Sequence, residues 1–190
     1  MHELKQRILK EGQDLGNGIL KVDAFINHQV DPKLMDACGQ AFAELFRGVN
    51  ASRVLTAEIS GIAPAIMTAR YLDIPVVYAR KHKPITMPDT VYLTVAPSHT
   101  KGVMTELIVS PDYLPVGERV LIIDDFLASG ATILGLVRLT QAAGAELVGV
   151  GALIEKVFEG GREKLDDLGV PVHALVTIRS MQDGQIVFDD

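Results

Sequence analysis

Val120-Leu121-Ile122-Ile123-Asp124-Asp125-Phe126-Leu127-Ala128-Ser129-Gly130-Ala131-Thr132 is the stretch on which the reading of this chain turns. The apolar run Val120 to Ile123, followed by turn residues, suits a strand covered on both faces. Asp124 and Asp125 fall where that strand is expected to end. Beyond them Ile133, Leu136 and Val137 are spaced at three and four, so Ala128, Ser129, Gly130, Ala131 and Thr132 lead into a helix. A helix N-terminus offers unpaired N–H groups and the positive end of a dipole to an anion. Gly130 admits left-handed backbone, and Ser129 and Thr132 add hydroxyl donors. The two carboxylates repel phosphate but accept hydrogen bonds from sugar hydroxyls. Together these groups suit a sugar phosphate.

Outward from this segment, strands and helices alternate. Strands are expected at Arg53 to Glu58, Pro75 to Ala79, Arg119 to Ile123, Glu146 to Glu155, Val170 to Ile178 and Gln185 to Phe188. Helices are expected at Gly61 to Leu72, Ser129 to Ala143 and, shorter, Gly160 to Leu168. Asp31-Pro32 reads as an N-cap followed by proline in the first turn. Leu34, Met35, Cys38, Ala41, Phe42, Leu45 and Phe46 then mark one face of a helix that Gly48 ends. Leu4 and Ile8 mark a short N-terminal helix, and Gly16-Asn17-Gly18 a turn. This alternation implies an α/β domain with a mostly parallel sheet and right-handed crossovers, spanning residues 1–190 as one unit. Ligands bind such sheets at the carboxyl ends of the strands.

The balance of 18 basic against 24 acidic residues, net charge -6, speaks against nucleic acid as the main partner. One cysteine, Cys38, excludes an internal disulfide and fits a reducing cytoplasm. No secretory leader is expected, and no apolar run reaches the ~18 residues of a membrane span. The five histidines show no metal-ligand spacing.

The stretch 120–132 resembles, position by position, the 5-phosphoribosyl-1-diphosphate (PRPP) motif of the type I phosphoribosyltransferases. Four apolar residues, two acids and two apolar residues precede a small-hydroxyl-Gly-x-hydroxyl turn. The resemblance implies the type I phosphoribosyltransferase fold, a mostly parallel sheet flanked by helices with a small hood. The hood would come from residues 1–32 and the C-terminal strands. It further implies that Asp124 and Asp125 hold the ribose and residues 128–132 the 5′-phosphate. Ser60 and Gly61, in the turn Glu58-Ile59-Ser60-Gly61, and Arg80 and Lys81, in the run Arg80-Lys81-His82-Lys83, would meet the pyrophosphate. Residues Met87 to Glu106, with Tyr92, Thr94, Ser98, Thr100 and Lys101, correspond to a loop that closes over the transition state; a long irregular lid is expected there.

Leu20-Lys21-Val22-Asp23-Ala24-Phe25-Ile26-Asn27-His28 is similar to the hood of the bacterial xanthine-using members of the family, and Ile154-Glu155-Lys156 resembles their base-binding strand end. The resemblance covers nearly the whole chain. It implies that Leu20, Asn27 and Lys156 contact the base, with Phe158 packing on the base or in the core. Xanthine and PRPP would be the substrates, Mg²⁺ would arrive with PRPP without a direct protein metal site, and the protein would be a cytoplasmic homodimer. On the residues alone, hypoxanthine-guanine or adenine transfer, and a PRPP-sensing regulator without catalysis, stay open. Ser129 and Ala131 stand where those members carry asparagine and glutamine, so the turn is nearer the general PRPP motif.

Overall fold

A computed structural model describes residues 1–97, 104–182 and 184–189. Six strands form the central sheet: β3 (Arg53–Ala57), β4 (Val76–Ala79), β7 (Arg119–Leu127), β8 (Glu146–Lys156), β9 (Val172–Gln182) and β10 (Gln185–Phe188). Their order is β10-β9-β8-β7-β3-β4, parallel throughout except for β10, which pairs antiparallel with β9. The buried pattern of β7 and β8 explains their apolar sequences, since both faces are covered.

Helices α2 (Pro32–Phe46) and α3 (Ile62–Leu72), with the N-terminal α1 (His2–Glu11), share one core. Leu4, Ile8, Phe42 and Phe46 pack there with Val54 and Ile123 of the sheet. Gly149 and Gly151 leave room for two of these rings: a Cβ on Gly149 would lie 2.9 Å from Phe46 and one on Gly151 2.9 Å from Phe42. Helix α4 (Ala131–Ala142) belongs to the second core with Ile122, Val150 and Leu165. Asp31 caps α2 as expected, accepting from the N–H groups of Lys33 at 3.0 Å and Leu34 at 3.2 Å. The same carboxylate pairs with Arg7 at 2.6 Å and ties α1 to α2. Cys38 is fully buried, and burial pushes its thiol up to about 12.

A small antiparallel pair, β1 (Gln13–Asp14) and β2 (Leu20–Lys21), flanks the expected turn, with Gly16, Asn17 and Gly18 all at positive φ. A π-helical turn, Asp23–Asn27, follows and buries Phe25 and Ile26. In place of an irregular lid, Tyr92–Pro97 (β5) and Met104–Val109 (β6) pair as an antiparallel ribbon. Alternation along it buries Ala96 and Leu107 against α4, and Arg138 of α4 donates to the Thr94 hydroxyl at 2.9 Å. Ser98, Thr100 and Lys101 lie outside the described residues.

Two further expectations change. Strand β7 does not end at the acidic pair: Phe126 and Leu127 stay in register with Ile154 and Glu155 of β8. The neighbouring backbone carries the strand past the carboxylates, and Leu127 buries itself in the second core. Residues 160–168 form turns and a 3₁₀ piece, Asp166–Leu168, instead of an α-helix. Gly160 sits at φ +68, and Arg162 is drawn away to the buried carboxylate of Glu155, so no helical ladder propagates.

Candidate active site

Strand β3 is the point where the sheet changes direction. Its crossover through α3 leads outward to β4, whereas β7 lies on its other side and leads through α4 to β8. The loops after β3 and β7 therefore diverge toward opposite faces and leave a crevice between them. A cavity of about 320 Å³ occupies that crevice.

Its floor is the segment read first in the sequence. Asp124, Asp125 and all five residues Ala128, Ser129, Gly130, Ala131 and Thr132 line it. Gly130 caps α4 at φ +77, a conformation that needs glycine here, and the free first turn of α4 opens beside it. From the other loop come Glu58, Ile59, Ser60 and Gly61, with a cis peptide between Glu58 and Ile59. The two loops touch. A Cβ on Gly61 would lie 2.6 Å from an Asp124 oxygen and 2.2 Å from the Thr56 hydroxyl. Ser60 faces Asp125 across the cavity and holds its carboxyl down.

The acidic pair is unequal. Asp124 is 4% exposed, and burial followed by the neighbouring charge of Asp125 raises its carboxyl well above the ordinary range. Asp125 is half-buried; burial pushes it up too, but hydrogen bonds from Asp124, the Phe126 N–H and Ser60 oppose that rise. Of the two carboxyls, Asp124 is therefore the one held higher, because it is the more deeply buried and sits beside the charge of Asp125. Lys81, at the cavity wall, acts on Asp124 in the opposite sense by favouring its charge.

The remaining residues named from the sequence divide. Leu20, on β2, and Asn27, in the π-helical turn, line the cavity from the N-terminal segment. Arg80 is not on its wall: its Nε lies 3.9 Å from Glu58, and its backbone pairs with Ile108. Glu58 thus serves both neighbours, since its other oxygen accepts from the Lys81 N–H at 2.7 Å. Lys156 is buried behind the wall, its ammonium 5.5 Å from the centroid of the Phe126 ring, which does line the cavity. It donates to the Gly18 carbonyl at 2.7 Å and pairs with Glu159 at 2.5 Å. Phe158 is 44% exposed and faces the turn between β1 and β2, 3.4 Å from the position of a Cβ on Gly18.

Sequence reasoning missed Phe126 as a wall. It placed Met87 to Glu106 over the site without singling out Ala96, Pro97 and Thr105, which together with Leu107 the β5–β6 ribbon brings to the cavity. Phe126 had a signal, an aromatic directly after two acids at a strand end. The ribbon residues had none, since their place depends on packing against α4.

Residues 29–176 match the family model described as phosphoribosyl transferase domain. The chain belongs to the phosphoribosyltransferase family. It is 47% identical over 190 residues, all of this chain and 97% of the other, to the xanthine phosphoribosyltransferase of Latilactobacillus sakei. It is 48% identical over 189 residues, the full length of both chains, to that of Lactobacillus delbrueckii subsp. bulgaricus. Among solved structures, the adenine phosphoribosyltransferase of Rhodothermus marinus superposes with TM-score 0.73 at 27% identity, covering 94% of this chain and 100% of that one. That of Thermoanaerobacter pseudethanolicus gives 0.74 at 23%, covering 92% and 99%, a likeness of fold. The type I fold expected from residues 120–132 is therefore the fold of this family.

Proposed function

We propose that this phosphoribosyltransferase moves the 5-phosphoribosyl group of PRPP to a ring nitrogen of xanthine, yielding xanthosine 5′-monophosphate and pyrophosphate. The observation that carries this reading is the meeting of the 128–132 loop, the acidic pair and the 58–61 loop around one cavity whose hood side bears Leu20 and Asn27. The full-length likeness to xanthine enzymes supports the choice of base. The anomeric C–O bond to the diphosphate breaks and a C–N bond to the purine forms, with oxocarbenium character between them. No protein nucleophile is needed; positioning and electrostatics suffice.

In this reading the 128–132 loop and the α4 N-terminus hold the 5′-phosphate. Asp125 and Asp124 accept from the ribose hydroxyls and favour the developing positive charge. Ser60, Gly61 and Lys81 receive the departing pyrophosphate. Arg80 sets Glu58, which orients the Lys81 backbone. Leu20 and Phe126 sandwich the purine and Asn27 donates to one of its oxygens, while Lys156, behind Phe126, would give its remaining donor or one freed from Gly18 or Glu159. Mg²⁺ would arrive on the diphosphate and offset part of its charge, with Asp124 and Asp125 nearby in the cavity but no direct protein site required. Closure by the β5–β6 ribbon would exclude water from the anomeric carbon. Residues 1–32 and the terminal strands act as the hood of a single unit. Exposed Tyr78 on edge strand β4, with Ile66 and Tyr71 exposed on α3, supports a homodimer. The lone buried thiol is in keeping with a cytoplasmic setting.

The test is incubation with PRPP, Mg²⁺ and xanthine, guanine, hypoxanthine or adenine in turn, with nucleotide formation measured. Rapid product with xanthine, slower product with guanine and none with adenine is expected. PRPP binding without product from any base would overturn the enzyme reading in favour of a regulator.

A further inference from the structure

The turn that follows β8 reaches back to the phosphate loop, although about 30 residues separate them in sequence. Gly161 is buried against it. A Cβ on Gly161 would lie 2.1 Å from the Ala128 carbonyl oxygen, 2.7 Å from the Gly130 nitrogen and 2.9 Å from the Ser129 carbonyl carbon. All three are backbone atoms of the loop itself, so no side-chain rotation could relieve the contact. The approach is mutual, since a Cβ on Gly130 would meet the Gly161 carbonyl oxygen at 3.2 Å. Three residues on, Lys164 donates to the Ser129 carbonyl oxygen at 2.9 Å.

That second contact has a directional effect. The oxygen and the N–H of a trans peptide point in opposite directions across one plane. Holding the Ser129 carbonyl therefore fixes where the Gly130 N–H points. The 160–164 turn is itself anchored. Arg162 donates to Glu155 at 2.8 Å and to the Val172 carbonyl at 2.5 Å, and Leu165 is fully buried. The anchor, Glu155, is 4% exposed and stands next to Lys156 on β8.

We propose that Gly161 and Lys164 are positioning residues for the 5′-phosphate: the 160–164 turn is an outer wall that sets the backbone of the 128–132 loop. The proposal rests on the reading of that loop as the 5′-phosphate site. Lys164 adds a positive charge behind the loop, and Gly161 sets how deeply the loop can sit. Pyrophosphate, held by the separate 58–61 loop, does not depend on this wall.

The test is calorimetric titration of wild type, Gly161→Ala, Lys164→Met and Lys164→Arg with ribose 5-phosphate and, separately, with magnesium pyrophosphate. Overpacking at Gly161 is expected to weaken ribose 5-phosphate about tenfold or more. Loss of the exposed Lys164 bond is expected to weaken it about threefold, with Lys164→Arg restoring most of the affinity. Pyrophosphate affinity stays within about twofold of wild type in all three, a fraction of a kcal/mol. Should Gly161→Ala fail to fold, the Lys164 pair decides. Unchanged ribose 5-phosphate affinity in the variants overturns the proposal, as does an equal loss for both ligands. Wild type that binds pyrophosphate but not ribose 5-phosphate would instead overturn the phosphate-loop reading beneath it.

Discussion

The Lys156 ammonium lies 2.7 Å from the Gly18 carbonyl oxygen, so the strand end that would recognise the base also holds the turn between β1 and β2. An ammonium has three donors. Gly18 and Glu159 take two, and the purine is left with the third or must displace one. The same side chain therefore links base recognition to the position of Leu20, two residues beyond Gly18. Lys156→Met keeps much of the stem but removes every donor. A lost charge-assisted hydrogen bond corresponds to about 1.5–3 kcal/mol, or roughly ten- to a hundredfold in KM for xanthine. KM for PRPP should stay within about twofold. Steady-state kinetics with each substrate varied in turn makes the comparison. A parallel rise in both constants would assign Lys156 to the fold.

Gly61 joins the two loops by having no side chain. A methyl group there would meet Asp124 at 2.6 Å and the fully buried Thr56 hydroxyl at 2.2 Å. Neither neighbour has space to retreat, because Asp124 lies within the packed strand β7 and Thr56 is buried near the end of β3. Gly61→Ala should therefore displace the loop or the carboxylate and lower kcat/KM for PRPP by about tenfold or more, the scale of an overpacked contact. The loss in thermal midpoint should be a few degrees at most, since the strain falls at the cavity edge. Wild-type kinetics in this variant would show that the loop moves freely.

Cys38 gives a test of the core. Burial raises its thiol to about 12, with Glu3 adding to the rise. Its Sγ lies 3.6 Å from Met1 Sδ, inside the core formed by α1 and α2. A thiol reagent at pH 8 should leave the native protein unlabelled over hours and react once per chain in denaturant. Fast native labelling would mean that α1 opens readily from α2.

Much of this arrangement was legible in the residues. The apolar runs of β7 and β8, the Asp31-Pro32 start of α2 and the 3-4 spacing of Phe42 and Phe46 are local signals, and local interactions settle those elements. That residues 58–61 and 128–132 would line one cavity was legible for a related reason. Phosphate binding at a strand-to-helix turn demands small residues and hydroxyls in a fixed sequence order. What escaped depends on distant partners. Phe126 and Leu127 continue β7 because β8 lies alongside, the β5–β6 ribbon takes its register from its own pairing, and Arg80 leaves the cavity because Glu58 is 3.9 Å away. Residues 160–168 carry a helical pattern, yet Gly161 is committed to the 128–132 loop and Arg162 to Glu155.

The sharpest prediction sets stability against activity at Asp124. Its carboxyl is raised in the folded protein, mainly by burial and then by Asp125. The unfolded chain has an ordinary aspartate, so the folded state binds the proton more tightly. Between the unfolded and folded pKa values stability must fall as pH rises, and above the folded value the full cost of an ionised buried group remains. Asp124→Asn removes that cost while retaining a donor toward Asp125. Its urea midpoint should exceed that of wild type at pH 8, and the difference should shrink toward pH 4, where wild-type Asp124 is largely protonated. Catalysis should move the other way. Without its carboxylate toward the ribose, turnover should drop by about a hundredfold, the scale of one lost transition-state contact. Urea unfolding at both pH values, beside turnover with xanthine, reads both effects. A lower midpoint at pH 8 would mean that Asp124 is ionised and well paired in the free protein, with its charge supporting the fold.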